Sequence, residues 1–231
     1  MTENEIISIK NKLLNHCKSF SVPEEAPGMK KYMRDQFEFL GLKKYRREEA
    51  CKLFWLENPL PVGKSLKDFI KTLWAEPQRE LQYIAMQLLE KPIKRSNENF
   101  LELLEYLVIT KSWWDTVDYI AANLTGAFLK KNPELKKEVP EIWIESDNMW
   151  LRRSAIIYQL KFKQDTDTER LFQFVLKTAN EKEFFIQKAQ GWALREYAKT
   201  NPIVVIDFVK NNAHKLSNLT KREALKHQNK L

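Results

Sequence analysis

The chain has 231 residues, is 43% hydrophobic and 30% charged, and carries a formal net charge of +8 with a pI near 9.3. That length buries a core as one domain or as one continuous array of repeats, and the composition argues against disorder. The glycines, Gly28, Gly41, Gly63, Gly126 and Gly191, are too scattered for a phosphate-cradling loop, which argues against Rossmann and P-loop chemistry, while the basic balance favours an acidic polymer as partner.

Polar and apolar residues alternate with helical period nearly throughout, and no stretch reads convincingly as a strand. The first helix is expected over 3–19, with Ile6, Ile9 and Leu13 on its apolar face. A loop follows at 21–28. The next helix, at about 29–39, should end on a left-handed cap at Gly41. Residues 43–57 form a helix whose Arg46, Arg47, Glu48 and Glu49 suggest a solvated face. Residues 64–75 form another, with Ser65 as N-cap. Pro77 opens a helix at 78–90 that Pro92 closes, and Ser96 starts one at about 97–109.

The stretch KSWWDTVDYIAAN, 111–123, reads as the central helix. Trp113, Val117, Ile120 and Leu124 form its packing stripe. Trp114 and Asp118, four apart, project together beside that stripe. Asp115 reads as an ordinary solvated acid pointing elsewhere. Pro133 and Pro140 bracket a short helix. Then come a helix at 148–162 capped by Asn148, helices at 166–179 and 183–199, one at 203–212 opened by Pro202, and a last helix begun in NLTKREALKHQNKL.

Cys17 and Cys51 lack CxxC spacing, and His16, His214 and His227 lack ligand spacing, so neither a disulfide framework nor a metal site is expected. The acidic, amphipathic start is unlike a signal peptide, and no apolar run is long enough to span a bilayer. A cytoplasmic location is the expectation.

A repeat underlies the helices. Ala50, Ala85, Ala121, Ala155, Ala189 and Ala224 recur at gaps of 34–36 residues within similar amphipathic segments. A period near 35 with two helices per unit predicts an all-α, right-handed superhelical solenoid of HEAT-like repeats spanning 1–231 as a single domain. One helix of each pair would line a concave basic cleft. The small residue lets that helix sit close to its neighbour.

The basic excess is concentrated late. Residues 188–231 carry nine Lys or Arg against three acids. On the helix 183–199, Lys188, Trp192, Arg195 and Lys199 share one face. Cations interleaved with an aromatic suit a nucleic-acid backbone; the alternative is a solvated face with a tryptophan at its edge. On the helix 148–162, Arg153 lies off the core stripe formed by Leu151, Ala155, Tyr158 and Phe162, with Lys161 about 80° from it. Arg152 is its neighbouring competitor. A guanidinium there suits phosphate, or else a surface ion pair with Glu145 or Asp147.

SWWDTVD at 112–118, the paired arginines in WLRRSAI at 150–156, Lys161 in YQLKF and KAQGWALREY at 188–197 together resemble the AlkD-type alkylpurine DNA glycosylases, a bacterial family of HEAT-like repeat proteins. MKKYMRDQFEFLG at 29–41 also matches its style. The resemblance implies that Asp118 is the catalytic carboxylate and that Trp114 and Trp192 embrace the deoxyribose of the damaged nucleotide. It implies that Arg153 contacts phosphate, with Lys161 and Arg195 weaker backbone contacts. Arg152, Lys188 and Lys199 complete the expected DNA-binding set. Duplex DNA carrying alkylated purines would be the partner, the protein would act as a monomer at the nucleoid, and recognition would proceed through sugar and backbone without a tight base pocket.

The chemistry is self-consistent. A purine alkylated at N3 or N7 already carries positive charge and leaves without a general acid, unlike an ordinary glycoside. One carboxylate can stabilise the oxocarbenium-like sugar and position water. At about 4 Å and an effective dielectric near 20 that attraction is on the order of 4 kcal/mol, roughly a thousandfold in rate. No cofactor or metal is required. Lys111 is too far along the axis from Asp118 to form a Schiff base, so simple hydrolysis to an abasic site is expected. The competing readings are a non-catalytic DNA-binding module, in which Asp118 would have no use, and a protein-binding scaffold.

Overall fold

The computed structural model describes residues 1–95 and 99–226. The expected start at Ser96, together with His227 and Lys230, lies outside the described residues. Among the described residues the regular structure is helical, with one isolated parallel bridge between Glu38 and Gln78. Two compact units divide the chain, Met1–Glu98 and Asn99–Leu231.

In the first unit α1 (Glu3–Ser19) opens with a capping box. The Thr2 hydroxyl accepts from the Glu5 N–H, and the Glu5 carboxylate accepts from the Thr2 N–H at 2.7 Å. A 3₁₀ turn, Pro23–Glu25, leads into α2 (Ala26–Tyr32), which is earlier and shorter than the expected 29–39. Arg34 and Asp35 take left-handed φ of 55° and 56° and turn the chain out of the helix. Gly41 is left-handed too, at φ 80°, but caps nothing. A Cβ there would sit 2.0 Å from the Val22 carbonyl oxygen. The Gly41 N–H, with those of Leu40 and Leu42, donates to the Glu80 carboxylate.

The helices α3 (Lys44–Glu57), α4 (Gly63–Ala75) and α5 (Arg79–Arg95) complete this unit. Arg47 is buried rather than solvated, its guanidinium over the Tyr83 ring. Ser65 caps no helix end; α4 starts two residues earlier, and the Ser65 hydroxyl accepts from the Met1 ammonium. Pro92 does not close α5, because burial of Ile93 carries the last turn past the missing N–H. Cys17 and Cys51 are free thiols, pushed up by burial to about 12 and about 11 respectively.

The second unit holds α6 (Leu101–Ile109), α7 (Trp114–Tyr119), a π-turn at Ile120–Thr125, α8 (Gly126–Lys131), α9 (Pro133–Ile144), α10 (Met149–Ile157), α11 (Thr168–Lys177), α12 (Phe184–Ala198), α13 (Pro202–Asn211) and α14 (Asn218–Ala224). The expected helix 111–123 starts later, at Trp114, because Lys111 adopts φ 49° and Trp113 is extended. It then continues through the π-turn into α8. Val117, Ile120 and Leu124 are buried as the stripe requires. Trp113 instead packs its ring against Trp150 and Phe185. Pro140 lies inside α9, where burial of Val139, Trp143 and Ile144 holds the helix together. Asn148 caps α10 as expected, accepting from the Trp150 N–H at 2.9 Å. That helix ends at Ile157, short of 162, and Phe162 reaches the core from the following turn.

All six repeat alanines are 0–1% exposed. In the second unit α10 packs on α6, α7 and α12, and α12 packs on α14. The last approach is close: a Cβ on Gly191 would meet the Glu223 Cβ at 2.4 Å.

Candidate carboxylate site and nucleic-acid interface

Asp118 stands on the last turn of α7, and Arg153 reaches it from α10. The contact is a two-pronged ion pair: Arg153 Nε donates to Asp118 Oδ1 at 2.7 Å and Nη2 to Oδ2 at 2.8 Å. Arg153 Nη1 donates to the Phe185 carbonyl at the start of α12. The Arg153 side chain is 5% exposed and that of Asp118 16%. Such a fork uses one lone pair on each carboxylate oxygen and leaves the others open to further donors. Burial lifts the Asp118 carboxyl above its ordinary range, the Arg153 hydrogen bonds and charge pull it back, and the charge of Asp115 adds to the rise.

The sequence placed Arg153 off the core face and offered it phosphate or a surface acid. It is buried and partnered by Asp118 instead, with the ring of Phe185 5.8 Å away and those of Trp113 and Trp150 packed on Phe185. Two of its five N–H groups remain for any phosphate, on a nearly enclosed side chain.

In front of Asp118 lies a hollow of about 350 Å³ lined by Asp115, Asp118, Tyr119, Ala122, Asn123, Leu160, Lys161, Trp192 and Glu196. It brings together three expected residues, Asp118, Lys161 and Trp192. Trp114 stands half-buried one turn before Asp118 and does not line it. Asp115 corrects the sequence reading: it faces the hollow rather than pointing away. The signal is in the spacing: Asp115 and Asp118 are three apart and share a helix face. Tyr119 and Asn123 fall within the central stretch and Glu196 within KAQGWALREY, but nothing in their residue types marks them for the hollow.

The remaining basic residues are partnered. Arg152 holds Glu181 through Nε and Nη2 and donates Nη1 to the Ser146 and Asp147 carbonyls. Glu223 on α14 accepts from Lys188 Nζ at 2.7 Å and from Arg195 Nη1 at 2.5 Å. Those two cations, that of Lys188 foremost, lower its carboxyl to about 2. Lys199 pairs with Glu196 at 2.6 Å. Lys161 is exposed and has no carboxylate partner among the described residues. The described residues hold no group of three or more His, Cys, Asp or Glu fit to bind a metal ion, and no helix among them is long and apolar enough to cross a membrane.

A chain helical throughout its described residues, with a half-buried carboxylate facing a hollow, is thus the class that fold and site define. Among solved structures it is similar to a predicted DNA alkylation repair enzyme from Enterococcus faecalis, with 31% identity and a TM-score of 0.82, covering 91% of this chain and 98% of that one. No curated protein matches it. The family described as DNA alkylation repair enzyme matches residues 13–228, and the chain belongs to that family.

Proposed function

We propose that the protein is a DNA glycosylase that hydrolyses the N-glycosidic bond of positively charged N3- or N7-alkylated purines in duplex DNA. The observation that carries this reading is a carboxylate fixed by a buried guanidinium at the wall of a hollow it shares with a tryptophan. A protein that only grips phosphates has no use for such a carboxylate, which repels them.

In this reading the C1′–N bond breaks with its electron pair passing to the base, which neutralises the base's charge and makes it a good leaving group. Positive charge appears on the sugar. Asp118 stabilises that charge across the hollow, and the indole of Trp192 adds cation–π attraction. Water attacks C1′ and transfers a proton to Asp118, leaving an abasic site. Arg153 acts as a positioning residue, holding both Asp118 oxygens. Trp114, one turn earlier, does not line the hollow, and its contact with the sugar is carried by the family resemblance. Lys161 meets the backbone; Arg195, Lys188, Lys199 and Arg152, each held by a carboxylate, flank the site with little net charge to offer. The six buried alanines are in keeping with HEAT-like helical repeats.

The test is release of free base from duplex DNA carrying N7-methylguanine or N3-methyladenine, with alkali-labile sites scored in parallel. Asp118→Asn should lose roughly a thousandfold in single-turnover rate. Binding without base release by the wild type would establish a non-catalytic DNA-binding module.

A further inference from the structure

Asp115, Asp118, Tyr119, Ala122 and Asn123 follow one another at helical spacing and line the same hollow. Asn123 falls within the π-turn at Ile120–Thr125, just after the last turn of α7 that carries Asp118.

Its amide is also oriented. Asn123 Nδ2 donates to the Tyr119 carbonyl at 3.2 Å. That contact fixes which end is nitrogen, since a carbonyl oxygen there would face another acceptor. Oδ1 is left as an acceptor that no group among the described residues occupies. Besides the Asp115 and Glu196 carboxylates and the Tyr119 hydroxyl, the hollow offers the Asp118 carboxylate, with spare lone pairs, and the Asn123 amide oxygen. A water has two hydrogens, and holding both turns its lone pair outward.

We propose that Asn123 is a water-binding residue of the reaction, with the attacking water donating one hydrogen to Asp118 and the other to Asn123 Oδ1. This rests on the glycosylase reading and extends it. As C1′ separates from the base, the water oxygen bonds to C1′ and its proton passes to the Asp118 carboxylate. Asn123 takes no proton. It keeps the second hydrogen, and with it the lone pair, in place.

The experiment is nucleophile partition. Single-turnover base release from N7-methylguanine duplex is run in water–methanol mixtures with wild type and Asn123→Ala, and the ratio of methyl glycoside to abasic product is measured. A ratio does not depend on how much protein is correctly folded. The expected result is a share of methyl glycoside several-fold higher in Asn123→Ala, with release slowed on the order of tenfold and DNA affinity unchanged. An unchanged ratio overturns the proposal whatever happens to the rate, because a structural role slows release without altering the choice of nucleophile. Wild type that binds but releases no base overturns the glycosylase reading, a distinct outcome under which this one falls with it.

Discussion

At the scale of single residues, Asp118 is set by opposed influences with a definite pH consequence. Burial raises its carboxyl, Arg153 opposes, and Asp115 reinforces the rise. The anion is the working form, so activity falls as pH drops through this raised value. The acid limb of the base-release profile should therefore lie above the ordinary aspartate range of about 3.9. Arg153→Lys keeps a charge but loses the fork, so the limb should move further up. Asp115→Asn removes a like charge, and the limb should move down. A pH–rate series on the three proteins checks both directions. If Arg153→Lys moved the limb down, the opposition assigned to Arg153 would be wrong. The stability sign differs from that of the usual carboxylate: a carboxyl raised by folding costs stability when ionised and ceases to do so as pH falls.

Among the elements, the α12–α14 contact is the most sharply constrained. Gly191 has no room for a Cβ, which would lie 2.4 Å from Glu223 Cβ and 2.8 Å from the Thr220 carbonyl oxygen. Gly191→Ala should push the helices apart and destabilise the protein by about 1–3 kcal/mol, read by thermal or urea unfolding. It should also slow base release, because Trp192 is the next residue. Glu223 ties the same helices through Lys188 and Arg195. Its carboxyl is lowered to about 2, so its stabilisation is fully present above the unfolded value of about 4.3 and is lost as pH falls toward 2. Glu223→Gln should flatten the acid-unfolding curve in that window.

Helix existence and the small-residue register were legible because both depend on apolar spacing, and all six alanines are buried. Boundaries were less so. Pro92 and Pro140 read as stops, yet burial of their neighbours carried α5 and α9 through them. The left-handed turns at Arg34, Asp35, Lys111 and Lys163 have no glycine to mark them. Asp118, Trp192 and Lys161 in one hollow follow from the motif. Asn123 does not: it shares a helical face with Asp115 and Tyr119, but nothing in its residue type marks it for the site.

For the whole molecule, a formal charge of +8 overstates the cations free to meet phosphate. Lys188 and Arg195 share Glu223, Arg152 holds Glu181, Arg153 holds Asp118 and Lys199 holds Glu196. A paired cation brings little net charge to DNA, and breaking its pair offsets part of any new contact. Lys161 has no such partner among the described residues and stands beside Asp118 and Trp192. Affinity for duplex DNA should fall linearly on a log–log plot against salt, with a slope near −0.9 per phosphate contacted. Lys161→Ala should make that slope shallower by roughly 0.9, while Lys199→Ala should leave it nearly unchanged. Titrations of the three proteins from low to moderate salt measure this. Equal changes from the two lysines would mean that charge acts as a diffuse field. No salt dependence in the wild type would remove DNA as the partner of this surface and return the helical array to a protein-binding role.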